Sequence, residues 1–240
     1  MAATQSGDGW TINGTKSYVL DGHVANLVLV AARTGAGVSI FAVPGDAQGL
    51  TRTLLTTMDQ TRKQAKLDFA NTPATLVGTD GGGWAVIDQV LDLAAVALAA
   101  EQVGGAQMCL DMSVEYAKVR EQFGQAIGSF QAIKHACSEM LVEVENSHGA
   151  TYYAAWAVDA AAPDAALAAS VAKSYLGEAS RKVCGSAIQV HGGIGFTWEY
   201  DLHLYFKQAK FLESLYGDAD FHRDLVMHEV MTPQAVPVPA

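Results

Sequence analysis

Residues 116–135, YAKVREQFGQAIGSFQAIKH, separate two long helical patterns and hold the most informative polar side chains of the chain. Arg120 and Phe123 stand three residues apart where the first of these patterns ends. A guanidinium group offers a two-pronged donor for phosphate, and a phenyl ring beside it offers an apolar plate for a flat ring. The alternative is that Arg120 pairs with Glu115 or Glu121 on a solvated helix face. The segment therefore predicts either a nucleotide contact or an ordinary surface ion pair.

Long, alanine-rich, proline-free segments dominate the chain after the glycines at 81–83. They predict helices over residues 84–119, 129–159, 164–188 and 198–216. The first would reach ~50 Å if unbroken, a length typical of helices packed in a bundle. Pro163 ends the second pattern, and Asp164 is placed to cap the third. We expect an up-down four-helix bundle over residues 83–232 and a frayed, proline-containing tail at residues 233–240.

In the first third of the chain, the pattern of apolar residues differs from that of the helical segments. Short bursts of β-branched and apolar residues alternate with glycine-containing breaks between residues 10 and 69, a pattern typical of strands and turns. Asn13-Gly14 suits a tight hairpin, because both residues accept positive φ at little cost. Residues 1–75 therefore predict a small, antiparallel, β-barrel-like domain, and the whole chain is expected to be of the α+β class.

Composition excludes several classes of protein. The chain has 240 residues, half of them apolar, and a formal charge of −10, which argues against disorder and against a basic surface for nucleic acid. The longest uninterrupted apolar run, residues 93–100, is too short for a membrane span. The chain has three cysteines, whose spacing indicates neither a disulfide framework nor a metal site, and no metal site is expected. The N-terminus lacks a secretory pattern, so we expect a cytoplasmic protein.

Two further motifs carry polar or glycine residues that packing alone does not require. Residues 188–196, IQVHGGIGF, place Gln189 before the double glycine Gly192-Gly193, which lets a backbone approach a polyphosphate closely. Residues 13–22, NGTKSYVLDG, place Tyr18 in a predicted strand.

Together, the three segments resemble the acyl-CoA dehydrogenase family, the FAD-dependent enzymes that desaturate acyl-CoA thioesters, over nearly the whole chain and in the family's order. The resemblance implies a middle β domain, a C-terminal helical domain, and FAD bound across a subunit boundary in an oligomer. It implies that Arg120 and Phe123 meet the pyrophosphate and adenine region of a neighbouring subunit's FAD. The other residues that it assigns to FAD are Tyr18 at the flavin ring, Phe130 and Gln131 near the adenosine, and Gln189, Val190, His191, Gly192 and Gly193 along the same cofactor. Two of them have plainer alternatives, His191 as a core or backbone-bonded histidine and Tyr18 as a strand aromatic.

The reaction of this family needs a carboxylate base, and neither usual position supplies one. Where the family commonly has a Glu after a Tyr, this chain has Gly217, and the second usual position holds Ala94-Ala95. Two substitutes remain. Glu101 has small or apolar neighbours on its helix face, which is unusual for a carboxylate. The alternative is that Glu101 pairs with a buried cation or reaches water at a subunit seam. Asp218 follows the usual site by one residue, with helix capping or a surface position as its alternative.

Three interpretations of function stay open. The first is α,β-desaturation of an acyl-CoA, branched, aromatic or steroid-derived, with an electron-transfer flavoprotein as acceptor. The second is a non-catalytic FAD-binding accessory subunit in a hetero-oligomer with another acyl-CoA dehydrogenase-like chain. The third is a truncated remnant, because the family's N-terminal helical domain is expected ahead of the β domain and this sequence starts after it.

Overall fold

The computed structural model describes residues 1–7 and 9–232 and separates into two compact units, one of residues 1–90 and one that begins at Leu91. The first unit is built on a six-stranded sheet and the second consists mainly of helices. The predicted α+β class, with the sheet ahead of the helices, is confirmed. The tail predicted at residues 233–240 lies outside the described residues.

Six strands form the described part of the first unit. They are β1 (Ala2–Ser6), β2 (Gly9–Leu20), β3 (Leu27–Arg33), β4 (Val38–Pro44), β5 (Leu50–Leu54) and β6 (Gln64–Val77). Their order is β2-β1-β3-β4-β6-β5, and a further antiparallel pairing of β2 with β6 closes the sheet on itself. Strands β1 and β3 pair in parallel, and the other pairs are antiparallel. The predicted barrel-like sheet is therefore confirmed.

The interior of this barrel-like sheet is apolar. Ile12, Phe41, Val43 and Leu67 are fully buried, and β4 alternates buried with partly buried positions as a pleated strand requires. Each such side chain contributes about 1.5–3 kcal/mol relative to full exposure. The same positions fix the strand register, because a shift by one residue would turn them out of the core.

The hairpin turn predicted at Asn13-Gly14 is wrong. Strand β2 runs straight through both residues, with a register shift against β6 between Ile12 and Gly14. The Asn13 side chain accepts from the Asn71 N–H at 2.8 Å and donates to the Asn71 Oδ1 at 3.0 Å. Because β2 pairs with β1 as far as Asn13 and with β6 both before and after Gly14, the positive φ of Gly14, +131°, is absorbed as an irregularity within the strand.

Five helices follow in the described chain. They are α1 (Gly83–Val119), α2 (Gln131–Asp159), α3 (Ala165–His191), α4 (Leu202–Ser214) and α5 (Ala219–Met231). Helix α1 has 37 residues and is about 55 Å long. Three details differ from the sequence-based expectation: the fourth helix begins at Leu202 and not at residue 198, a separate fifth helix follows it over Ala219–Met231, and Asp164 occupies the N-cap of α3 without capping it. Its carboxylate accepts from the Tyr153 hydroxyl instead.

The helical unit packs around small side chains. Ala106, Cys109 and Leu110 of α1 meet Met140 of α2 and Cys184 of α3 in its largest core cluster. The thiols of Cys109 and Cys184 lie 3.6 Å apart, and their hydrogen bond, together with burial, raises the pKa of Cys109, so the thiol stays protonated. These two cysteines are therefore small residues of the core.

Helix α1 is also apolar enough, by length and composition alone, to cross a bilayer. Among the described helices it alone meets that test, which core helices of globular proteins also pass. Ala95, Leu98 and Ala99 are buried within the protein. The absence of a membrane span stays a prediction.

The start of α1 is tied to the sheet by one carboxylate. Asp80 accepts hydrogen bonds from the hydroxyls of Thr34 and Ser39, both at 2.6 Å, and Ser39 in turn accepts from the Gly81 N–H at 2.7 Å. The bonds from Ser39 and Thr34 lower the pKa of Asp80. A Cβ at Gly83 would lie 2.8 Å from the Val38 carbonyl oxygen, so only glycine lets the helix begin this close to β4.

We expect Asp80→Ala to lower the thermal midpoint of the protein at pH 7. Because the folded-state pKa of Asp80 lies below its unfolded value, the contribution is present above that unfolded value and disappears as the pH falls through the folded one. The difference between wild type and variant should therefore shrink below pH 4. Asp46→Ala, at an exposed aspartate of the same unit, is the control. Equal midpoints for wild type and Asp80→Ala at pH 7 would remove this anchor from the account.

Candidate nucleotide-binding cleft

A short hairpin follows α1 and determines the positions of Arg120 and Phe123 at the end of that helix. Strand β7 (Glu121–Gln122) pairs with β8 (Gln125–Ala126), and the Ile127 N–H donates to the Arg120 carbonyl at 2.7 Å. Phe123 and Gly124 form the two-residue turn with φ of +55° and +79°, as tight hairpin turns of this length require. The Phe123 side chain projects from the turn and is 92% exposed.

The end of α3 supplies a glycine turn. Gly192 has φ +65° and ψ −141°, a conformation that residues with a Cβ avoid, and its N–H donates to the carbonyls of Ile188 and Gln189. A 3-10 turn from Gly192 to Phe196 continues the chain. A Cβ placed on Gly193 would meet nothing within 4 Å, so the backbone here is open to a ligand.

The hairpin and the glycine turn border one cleft of about 580 Å³. It is lined by Tyr116, Arg120, Gln122, Phe123, Ile127, Phe130, Ile133, Val190, His191, Gly192, Gly193 and Ile194. Seven of the residues that the family resemblance assigned to FAD are therefore brought together, although up to seventy-three residues separate them along the chain.

The Arg120 guanidinium is the cation of this cleft, and it has no ion-pair partner among the described residues. Glu115, one of the two partners weighed for it, pairs with Lys118 instead, and Glu121 forms no ion pair with it either. The surface-ion-pair alternative for Arg120 is thus wrong. An unpaired arginine in a chain of net charge −10 is available for an anionic ligand.

Aromatic rings flank the arginine. Phe123 and Phe130 meet edge to face with centroids 6.1 Å apart. On the opposite wall, Tyr116 stacks on His191 at 4.3 Å. Rings of this kind accept a flat heterocycle by stacking or edge contact.

His191 is held by the backbone. Its Nδ1 lies 2.8 Å from the Ala187 carbonyl, so this nitrogen carries the proton, and Nε2 is buried without a partner among the described residues. Burial lowers the pKa of His191, which keeps the ring neutral at pH 7. The interpretation as a backbone-bonded histidine is confirmed.

Three predicted contact residues are not among those that line the cleft. Gln131 is the first residue of α2 and Gln189 lies in the last turn of α3, and both are exposed. Tyr18 belongs to the first unit, where it has φ +58° beside a register shift of β2 and is 69% exposed. Their assignment to FAD stays a prediction.

The two candidate bases occupy different settings. Glu101 is half-buried on α1 and accepts a hydrogen bond from the Gln208 side chain of α4 at 2.8 Å. It lies about 28 Å along α1 from Arg120, too far to touch a group held by that arginine. Asp218 accepts from the Phe221 N–H at 2.9 Å and caps α5, which confirms the capping alternative for this residue.

Five lining residues were not singled out from the sequence: Tyr116, Gln122, Ile127, Ile133 and Ile194. Tyr116 could have been assigned to the cleft from the sequence, because it precedes Arg120 by four residues and therefore lies on the same helix face. Within residues 1–7 and 9–232, no cluster of three or more His, Cys, Asp or Glu side chains is arranged to bind a metal ion. The cleft therefore offers a cation, rings and an open backbone, a combination suited to a phosphate-bearing ring ligand.

Comparison with known proteins defines the family. The acyl-CoA dehydrogenase middle-domain profile matches residues 1–72, and the acyl-CoA dehydrogenase C-terminal-domain profile matches residues 81–231. The chain belongs to the acyl-CoA dehydrogenase family.

Relatives and solved structures agree with this assignment. The chain is 40% identical over 192 residues to acyl-CoA dehydrogenase IpdE2 of Mycobacterium tuberculosis, covering 80% of this chain and 53% of the relative. It is 33% identical over 240 residues to the probable acyl-CoA dehydrogenase YngJ of Bacillus subtilis, covering 95% and 63%. The chain thus spans between half and two thirds of the length of these relatives.

Two solved structures superpose closely. One is a glutaryl-coenzyme A dehydrogenase in complex with glutaryl-CoA, with a TM-score of 0.92 at 27% identity, covering 98% of this chain and 63% of that one. The other is the Tcur3481-Tcur3483 steroid ACAD, with a TM-score of 0.85 at 32% identity, covering 95% and 62%. The predicted combination of middle β and C-terminal helical domains is confirmed.

Two glycines near the ends of α3 and α4 should respond in opposite ways to alanine. At Gly193 the space is open, so Gly193→Ala should change the free energy of unfolding by no more than about 0.5 kcal/mol. At Gly217, φ is +110° and a Cβ would lie 2.4 Å from the Phe221 ring, so Gly217→Ala should cost about 1–3 kcal/mol. Urea unfolding of both variants measures the contrast, and equal losses would contradict the backbone conformations described.

Proposed function

We propose that this chain supplies the FAD-binding helical unit of an acyl-CoA dehydrogenase that desaturates an acyl-CoA thioester between its α and β carbons. The observation that carries the proposal is the convergence of an unpaired Arg120, the Phe123–Phe130 ring pair and the Gly192-Gly193 backbone on one cleft. When bound, FAD supplies the two-electron acceptor for the hydride that leaves the β carbon.

The residues of the cleft fit the adenosine diphosphate half of FAD. The Arg120 guanidinium pairs with the pyrophosphate, and the open backbone at Gly193 lets that pyrophosphate approach closely. The rings of Phe123 and Phe130 border the adenine. Both sides of this cleft belong to one chain, and the residues described would hold only the adenosine diphosphate half of FAD.

Proton removal from the α carbon requires a base, and Glu101 is the residue that we propose for it. Its carboxylate is half-buried and is oriented by Gln208. A carboxylate held in place by a hydrogen bond can accept a proton as a general base. Since Glu101 lies far from Arg120 along α1, the base and the dinucleotide cleft serve different ends of the site.

A second candidate function is that of a non-catalytic FAD-binding accessory subunit. Two observations favour it: the family's usual base position holds Gly217, where a side chain would collide with Phe221, and the neighbouring Asp218 is engaged in capping α5. In that case a different acyl-CoA dehydrogenase-like chain supplies the base, and this chain supplies only cofactor contacts.

The substrate and partners follow from the same proposal. We propose a branched, aromatic or steroid-derived acyl-CoA, with the steroid-derived class first because a steroid ACAD is among the similar structures. The assembly is a homo- or hetero-oligomer of acyl-CoA dehydrogenase-like chains, and an electron-transfer flavoprotein accepts the electrons.

Arg120→Ala should reduce FAD affinity about tenfold to a hundredfold, because a charge-assisted hydrogen bond to phosphate contributes about 1.5–3 kcal/mol. The measurement is a titration of FAD into the apo-assembly, followed by quenching of flavin fluorescence. Lys118→Ala is the matched control, since Lys118 lies two residues away and already pairs with Glu115. FAD affinity unchanged by Arg120→Ala would refute the assignment of this cleft.

Glu101→Gln should slow bleaching of the flavin absorbance by acyl-CoA at least a hundredfold while FAD content stays normal. Glu115→Gln, at an exposed position on the same helix, should bleach at the wild-type rate. Rapid-mixing absorbance at the flavin band measures both. Normal bleaching in Glu101→Gln would transfer the base to another chain and favour the accessory function.

A further inference from the structure

A buried lysine lies under the turn that joins α4 to α5. Lys173 of α3 is 1% exposed. Its ammonium group donates three hydrogen bonds, to the carbonyl oxygens of Leu212 at 3.0 Å, Glu213 at 3.1 Å and Gly217 at 2.9 Å. An ammonium group has three donors and no acceptor, so every one of its protons is used on the backbone of one short segment.

The segment that Lys173 holds has an unusual backbone. Tyr216 has φ +58° and Gly217 has φ +110°, and a bulky residue rarely adopts the left-handed region. His222 of α5 supports the same turn, with Nε2 3.3 Å from the Tyr216 carbonyl and Nδ1 3.4 Å from the Ser170 hydroxyl. A conformation of this kind persists only where its surroundings enforce it, and such segments concentrate at functional sites.

The lysine is a costly way to satisfy three carbonyls. Burial lowers the pKa of Lys173 to about 8, against the opposing effect of the carboxylates of Asp218 and Glu213. Removal of the ammonium group would leave the carbonyls of Leu212, Glu213 and Gly217 without their donor, which is destabilising. The lysine also selects among conformations, because an alternative turn would leave the ammonium group without its acceptors.

We propose that Lys173 is a positioning residue whose buried ammonium group selects one conformation of the turn from Leu215 to Asp218 and so fixes where Tyr216 and Asp218 stand on the helical unit. The proposal goes beyond the proposed function and holds for a catalytic and for an accessory subunit alike.

The test uses a fluorine probe in the turn, with 4-trifluoromethylphenylalanine in place of Tyr216. Wild-type Lys173 should give one sharp 19F line. Lys173→Met should give a shifted or split line, and its thermal midpoint should fall because three carbonyls lose their donor. Leu176→Ala, at a fully buried position one turn along α3, is the matched control and should lower the midpoint without moving the line. A line unchanged by Lys173→Met would overturn the proposal.

A titration of the labelled parent protein gives a second measurement that does not depend on the variant folding. A neutral amine has two donors and a lone pair, so loss of the proton must break one of the three carbonyl bonds. The line should therefore move with a midpoint near pH 8, the pKa of Lys173. The other titratable groups that face the ammonium are Glu213 of α4, Asp218 of the turn and His222 of α5. Burial lowers the pKa of His222, and against the opposing effect of burial, hydrogen bonds from Lys210 and Arg181 lower the pKa of Glu213.

Deprotonation of Lys173 in the folded protein does not favour unfolding, so the movement of the 19F line can be distinguished from unfolding. The folded-state pKa of Lys173 lies below the unfolded value of 10.5. Between pH 8 and 10.5 the unfolded chain therefore binds one more proton at this lysine than the folded protein does. The contribution of Lys173 to the free energy of unfolding thus rises with pH in this range. A line that stays constant from pH 7 to 9.5 in the folded protein would overturn the proposal as surely as an unchanged line in Lys173→Met.

Discussion

One backbone hydrogen bond, from the Ile127 N–H to the Arg120 carbonyl, closes the hairpin after α1 and determines what the helical unit can bind. It ends a 37-residue helix abruptly and leaves Arg120 at its tip with its guanidinium unpaired. The two left-handed residues of the turn, Phe123 and Gly124, then carry a phenyl ring out beside that cation. Without this closure, the arginine would lie on an ordinary solvated helix face.

The arrangement is costly for the isolated chain, which is why it indicates a ligand. A phenylalanine at positive φ is strained, at a cost of order 1–3 kcal/mol, and its ring is 92% exposed. Within the described part of the chain the Arg120 guanidinium has no ion-pair partner, and the Nε2 of His191 is buried without a hydrogen-bond partner. A nucleotide that stacks on the rings and pairs with the guanidinium compensates for these costs together.

The fold and most of the cleft could be predicted from the sequence because both rest on local signals. Proline-free, alanine-rich segments predicted the helices, and bursts of β-branched and apolar residues between glycine-containing breaks predicted the strands. Arg120, Phe123 and the double glycine, together with the family resemblance, predicted the residues of the cleft. The failures share a cause, which is competition from residues distant in sequence. Asn13-Gly14 has turn propensity, but pairing with β1 and β6 keeps it in a strand, and the Tyr153 hydroxyl takes the carboxylate of Asp164 that was expected to cap α3. Lys173 gave no signal, since its acceptors are backbone carbonyls 39 to 44 residues further along the chain.

The central claim is that the hairpin tip and the glycine turn hold the adenosine diphosphate half of a flavin dinucleotide. An experimental structure of the protein purified with whatever partner and cofactor accompany it in the cell tests this most directly. The account predicts density for a pyrophosphate against the Arg120 guanidinium, with an adenine beside Phe123 and Phe130. A cleft filled by side chains of another protein, with Arg120 paired to a carboxylate of that protein, would contradict it.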